Sequence, residues 1–159
     1  MTAYYTNNLS AKQAFQQQAT QQAAQLYAQA RQVSFTQSVR RLFGGEKTGL
    51  KSLNADADAS QVASHKVEIK AVNLNAIKGS CGRSKDFDAD YKPINTHSRE
   101  RWIRVATAVF IGKQLPAVEL VQIGTQYYVT DGNHRVSVAK ALGQNTIQAH
   151  VTVWEMDRR

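Results

Sequence analysis

The sequence predicts an α+β fold, a small mixed sheet with packed helices, preceded by an N-terminal helical arm. Three observations carry this. From Ser10 to Phe43 there is no glycine or proline, and apolar residues recur at helical steps. From Lys66 the period changes to two, the mark of a strand half-buried on one face. Beyond it, stretches with strand alternation and stretches with helix start and stop signals follow one another as strand, loop, helix, strand, strand, helix, strand, an order that fits α+β packing.

The arm, residues 1–43, is dominated by Gln and Ala, and Asn8 or Ser10 can cap its start. Phe15, Ala19, Ala23, Leu26, Ala30 and Val33 form a narrow apolar stripe, and Phe35, Val39, Leu42 and Phe43 a second one. Three readings are open: a helix or helix pair packed on the main domain or on a second subunit, giving a homo-oligomer through these helices; a DNA-binding arm using Arg31, Arg40 and Arg41; or glutamine-rich disorder. Residues 44–64, with Gly44, Gly45, Gly49 and a polar run from Asn54 to Ser60, read as a linker, because this composition cannot bury enough apolar area to offset the entropy of ordering. The main domain is then 65–159.

In that domain Val67, Ile69 and Ala71 share one strand face, taken as the inward one, and Glu68 and Lys70 the other. Gly79-Ser80-Cys81-Gly82-Arg83-Ser84 is a loop whose glycines allow close backbone approach to a ligand, with Arg83 able to fork onto an anion; the alternative is a plain surface turn. Asp86, Asp88 and Asp90 alternate around Phe87, but the turn glycine and terminal glutamate of a calcium loop are missing, so the run reads as a solvated loop with Phe87 buried. Thr96 or Ser98 caps a helix reaching Phe110, closed by Gly112, with Trp102, Val105, Ala106 and Val109 on its core face. Ala117 to Ile123 is a strand, Gly124-Thr125-Gln126 a hairpin turn, and Tyr127 to Thr130 the returning strand. Val136, Ala139 and Leu142 then mark a helix stopped by Gly143, and Ile147, Ala149, Val151 and Val153 alternate in the last strand.

With 159 residues and a formal net charge of +8, the chain favours polyanionic partners, such as nucleic acid, nucleotides or anionic lipid. The excess is diffuse, with no basic run of the kind that forms a nucleic-acid tail. The single cysteine, Cys81, excludes an internal disulfide, and no His/Cys cluster has zinc spacing, which fits a reducing cytoplasm and no protein-built metal site. Neither a signal-peptide core nor an apolar run long enough to span a bilayer is present, so no membrane partner is expected.

The stretch with most chemistry is Tyr127-Tyr128-Val129-Thr130-Asp131-Gly132-Asn133-His134-Arg135. A strand that turns through Asp-Gly into a helix gathers unpaired amides and the positive end of the helix dipole at one spot. That is the makeup of an anion site, above all for phosphate. Arg135 reads as a phosphate ligand or as the partner of Asp131 or Glu119. Asp131 reads as an N-cap, a magnesium ligand or a general base. His134 can donate to phosphate or move a proton, and Asn133 offers an amide to phosphate or base.

From about Val67 to Val153 the order of motifs resembles the ParB/sulfiredoxin-like superfamily, in particular the nucleotide-binding module of ParB partition proteins. The residues that carry the resemblance are the Gly79–Arg83 loop, Leu115-Pro116-Ala117-Val118, the Asp131–Arg135 turn and Ala139-Lys140-Ala141-Leu142-Gly143. It implies a nucleotide, CTP or ATP with magnesium, bound by Arg83, Gly132, Asn133, His134 and Arg135. Catalysis, by nucleotide hydrolysis or phosphoryl transfer, would use Asp131, His134 or Glu119. Asn133 stands where sulfiredoxins carry their nucleophilic cysteine, so that chemistry is not expected, whereas Asp-Gly-Asn-His-Arg is closer to the turn of the free-serine kinases of this fold. The helix-turn-helix that follows this module in ParB has no counterpart in these residues, so DNA contact is expected only through the arm or the general basic surface. The functions to weigh are a nucleotide-binding module, acting as a switch or slow NTPase near DNA; a small-metabolite kinase; and a DNA-binding or assembly protein with a vestigial pocket.

Overall fold

A computed structural model of the chain describes residues 2–41, 50–53, 62–82 and 85–156, with the backbone alone for 2–9, 32–41, 62–66 and 155–156. Six strands form one sheet: β1 (Lys51–Ser52), β2 (Val62–Asn73), β3 (Ile77–Ser80), β4 (Val118–Ile123), β5 (Gln126–Asp131) and β6 (Thr146–Met156). Their order across the sheet is β1-β3-β5-β4-β6-β2. The β4/β5 and β2/β6 pairs are antiparallel, while β1/β3, β3/β5 and β4/β6 are parallel. Three helices, α1 (Thr2–Arg41), α2 (Arg99–Phe110) and α3 (Asn133–Ala141), complete the α+β architecture. Packing runs in series: α3 lies on β4 and β6, α2 on α3, and α1 on α2.

The elements follow the sequence signals closely, including the left-handed glycines Gly112 and Gly143 after the two short helices. The hairpin closes through Gly124 in the same conformation. Two buried groups tie the helices together. Trp102 has no exposed surface, and its Nε1 donates to Ser137 Oγ of α3 at 2.8 Å. Tyr27 of α1 meets the Trp102 ring edge-on at 5.3 Å. The arm is thus a single helix whose middle docks within its own chain, through Ala19, Ala23 and Tyr27. Phe15, assigned to the stripe, is 55% exposed, and Tyr27 replaces it as the aromatic anchor. Among the described residues no helix is long and apolar enough to cross a membrane.

Three expectations are corrected. The period of two in β2 holds, but its faces are inverted: Val67 and Ile69 are 67% and 71% exposed, whereas Val72 is buried. On the opposite face Lys70 Nζ reaches Glu68 Oε2 and Gln122 Oε1, both at 3.0 Å. Alternation fixes which residues share a face, not which face meets the helices, and β2 is an edge strand where burial is shallow. The stretch read as a linker contributes structure at its middle: Leu50 is buried in the main core and Lys51–Ser52 pair with β3. This also explains Gly79, where a Cβ would lie 2.4 Å from the Lys51 carbonyl oxygen. The missing side chain there admits β1, not a ligand.

The acidic loop is the third correction. Phe87 is buried as expected, but Asp86 and Asp88 are buried with it. Asp88 Oδ1 accepts the amides of Asp90 at 3.0 Å and Lys92 at 2.9 Å, which builds a tight turn with Tyr91 at a positive φ of 63°. The Tyr91 hydroxyl donates to Gly79 O at 2.6 Å, and burial pushes its pKa well above the ordinary 10.0. The folded chain therefore keeps a proton that the unfolded chain releases, so this contribution is full below pH 10 and is lost as pH rises above it, at up to about 1.4 kcal/mol per unit. Unfolding by urea should show a steeper loss of stability from pH 10 to 11 in the native chain than in Tyr91→Phe. Parallel curves would remove Tyr91 as the cause.

Candidate functional site

Where β5 runs into α3, the chain turns at Gly132, which is the N-cap of the helix with φ at 102°. A side chain there would be strained, and its Cβ would lie 2.7 Å from Val118 Cγ1. The helical ladder opens with Val136 N–H donating to Gly132 O at 3.0 Å, so the amides of Asn133, His134 and Arg135 lie ahead of the first intrahelical bond. This end of α3 forms one wall of a cleft of about 990 Å³. Ser52, Cys81 and Gly82 contribute from the β1 and β3 side, Leu115 and Pro116 from the approach to β4, and Lys85, Asp86, His97 and Arg101 from the loop before α2 and its first turn.

The structure places the expected residues unevenly. Gly132, Asn133, His134, Arg135 and Asp131 all line the cleft. Arg83 lies outside the described residues. Glu119 sits opposite Asp131 in the β4/β5 register and is not among the cleft-lining residues. Asp131 is not the N-cap; its carboxylate accepts from Arg135 Nη2. The guanidinium is held on its other side as well, since Nη1 donates to Pro116 O at 2.6 Å and Ala117 O at 2.7 Å. Arg135 is therefore a clamp that ties the start of α3 to the approach of β4. Of the two readings of this residue, the internal partner is the one the geometry supports.

This role has a measurable consequence. Arg135→Ala strips two backbone carbonyls of their charged donor, and is expected to lower unfolding free energy by about 2–3 kcal/mol. Arg135→Lys should recover little of this, because an ammonium cannot span the carbonyl pair and Asp131 with the same planar fork. A urea midpoint unchanged in Arg135→Ala would show that the clamp contributes nothing.

His134 is 5% exposed and meets the Phe87 ring edge-on at 5.3 Å. Its ring is packed, which suits a fixed hydrogen-bonding group better than a mobile proton carrier. Asn133 is also 5% exposed, and its Oδ1 is buried with no hydrogen-bond partner among the described residues. A buried amide oxygen without a partner costs about 1–3 kcal/mol. Such a group marks a place where folding alone does not satisfy the chain.

The opposite wall was not legible as a site. His97 Nε2 lies 3.3 Å from Asp86 Oδ1, and Asn95 Nδ2 donates to the Lys85 carbonyl at 3.0 Å. In the sequence His97 stood out in no motif, and Arg101 looked like an ordinary surface charge of an amphipathic helix. Only the pairing of a loop with the far end of the sheet brings them beside Gly132. Cys81, from a different loop than the Asp-Gly turn, is brought to the same cleft.

No protein-family model matches the chain. A search of curated proteins returns no match either. Among solved structures the chain is similar to the crystal structure of sulfiredoxin from Arabidopsis thaliana, at 20% identity and a TM-score of 0.37, over 53% of this chain and 83% of that one. A likeness of that size does not define a family, and the site stands on its own geometry. Among the described residues no group of three or more His, Cys, Asp or Glu side chains is placed to hold a metal ion.

Proposed function

We propose that the cleft binds the phosphates of a nucleotide, CTP or ATP, at the N-terminus of α3, in the manner that the resemblance to ParB-like modules implies. The observation that carries this reading is the start of α3, where the amides of Asn133, His134 and Arg135 lie ahead of the first intrahelical bond at residues that line the cleft, and an anion is favoured by both hydrogen bonding and the helix dipole. Beside them Asn133 Oδ1, buried without a partner among the described residues, is an acceptor left for a donor of the base or ribose. Gly132 supports it, because its left-handed conformation, which a side chain would strain, makes the turn that leads into those amides at the cleft. The clamp formed by Arg135 keeps the turn in place, while phosphate contact falls to the leading amides of α3.

Magnesium fits this cleft as a companion of the nucleotide and not as a resident ion. Asp86 and Asp131 are the carboxylates among the described residues that line the cleft, and each already has a partner, His97 Nε2 at 3.3 Å and the Arg135 guanidinium respectively. Such an ion keeps most of its coordination on phosphate and water, and neutralises charge on the phosphates when bound. No protein cage is needed.

A binding module is favoured over a DNA-binding arm by one further detail. Arg31 donates to Ile94 O at 3.4 Å and lies 6.0 Å from the Tyr27 ring centroid, so its guanidinium serves the docking of α1. Thermal unfolding in the presence of CTP or ATP with magnesium tests the proposal: at one hundred times Kd a ligand specific for the folded state adds about 2.7 kcal/mol, a shift of several degrees. No shift with any nucleoside triphosphate at millimolar concentration contradicts it.

A further inference from the structure

The positive charge that the sequence assigned to Arg135 is already met inside the protein, by Asp131 and two carbonyls. A polyphosphate entering the cleft must therefore find cations elsewhere. Lys85 and Arg101 line the same cleft from the loop before α2 and its first turn, and neither has an ion pair among the described residues. The carboxylate of the same wall, Asp86, is turned to His97 Nε2 at 3.3 Å and Asn95 Nδ2 at 3.4 Å.

This wall is built and not a loose surface loop. Asn95 Nδ2 holds the Lys85 carbonyl at 3.0 Å, and Ile94 N–H donates to the Asp86 carbonyl at 2.9 Å. From the arm, the Tyr27 hydroxyl donates to the Asn95 carbonyl at 3.3 Å. Arg101 projects from the first turn of α2, which Trp102 anchors in the core. The cleft volume, about 990 Å³, is far more than one phosphate fills.

We propose that Lys85 and Arg101 form a second anion subsite, in the same cleft as the helix-terminal one, that takes a further phosphate of the same ligand and makes the site select di- and triphosphates over a single phosphate. This rests on the reading of the α3 terminus as a phosphate site and adds to it the residues that count the charges of the ligand. A guanidinium and an ammonium without carboxylate partners attract a second phosphate by charge-assisted hydrogen bonds, and Arg101 can take two of its oxygens at once.

Isothermal titration with orthophosphate, pyrophosphate and tripolyphosphate at fixed ionic strength tests it. In the native chain affinity should rise about tenfold or more from orthophosphate to pyrophosphate, as one additional charge-assisted contact implies. Arg101→Ala should remove most of that gain and leave orthophosphate binding within about twofold, while Arg104→Ala, the same charge change one turn along but outside the cleft, should keep the gain. Equal affinity for the three anions in the native chain overturns the subsite while leaving the helix-terminal site intact. So does an Arg101→Ala variant that keeps the discrimination, or an Arg104→Ala variant that loses it equally. Failure of all three anions to bind overturns the helix-terminal site and the subsite with it.

Discussion

Asn133→Leu is expected to raise the melting temperature of the ligand-free protein while weakening nucleotide binding by at least about tenfold. The two effects have one origin. In the folded chain Asn133 Oδ1 is buried without a partner, at a cost of about 1–3 kcal/mol that an apolar side chain of similar size does not incur. For a chain of this length each kcal/mol corresponds to roughly 2–4 °C. The same Oδ1, on meeting a donor of the base or ribose, makes a contact that leucine cannot replace, so the loss of affinity and the gain in stability go together. Calorimetric melting of both proteins, with and without nucleotide, reads the two signs in one experiment. A melting temperature that falls by several degrees shows that the amide is structural. Unchanged nucleotide affinity removes Asn133 from the site.

The second large effect is at the junction of the helices. Trp102→Ala is expected to lower unfolding free energy by about 3–5 kcal/mol, a large share of the margin of an ordinary domain. Trp102 is fully buried, touches Tyr27 of the arm and donates to Ser137 Oγ, so its removal opens a cavity, leaves a buried hydroxyl without its donor and undercuts the docking of α1. Trp102→Phe should lose much less, since the ring volume is largely kept. Urea unfolding followed by circular dichroism measures the loss. Limited proteolysis should cut α1 faster in Trp102→Ala than in Trp102→Phe. A loss under 1 kcal/mol for Trp102→Ala would mean that the three helices do not share one core.

Much of the fold was legible because its signals are local. Gly112 and Gly143 stop helices by adopting φ values of 73° and 70°, which few other residues do cheaply, and the alternation in β6 reflects a strand with Ala149 and Val151 buried on one face and Gln148 and His150 exposed on the other. The faces of β2 were not legible. Val67 and Ile69 look inward-facing by type, yet they are exposed and Val72 on the other face is buried, and nothing within the strand encodes that. Leu50 and Lys51–Ser52 were hidden for a related reason: a two-residue strand has no period to detect, and its partner is far along the chain.

The site divides the same way. The Asp131–Arg135 turn is contiguous, so its conformation follows from Gly132 and the helix that begins after it. The engagement of Arg135 by Pro116 and Ala117 is not contiguous, and sequence alone left open whether its charge faces a ligand or the protein. The Lys85, His97 and Arg101 wall is assembled from two segments, neither of which has a motif of its own. Residues that resemble surface charges on their own elements acquire meaning only when the fold brings them to the same cleft as the α3 terminus.

The most direct test of the phosphate site is to follow backbone amide resonances of the isotope-labelled chain as CTP or ATP with magnesium is added. A nucleotide whose phosphates sit on the α3 terminus should produce its largest saturable shifts at Gly132, Asn133, His134 and Arg135, and these shifts should be reproduced in part by tripolyphosphate. Saturation with the largest shifts elsewhere, or no shift at this turn at millimolar nucleotide, would contradict the account.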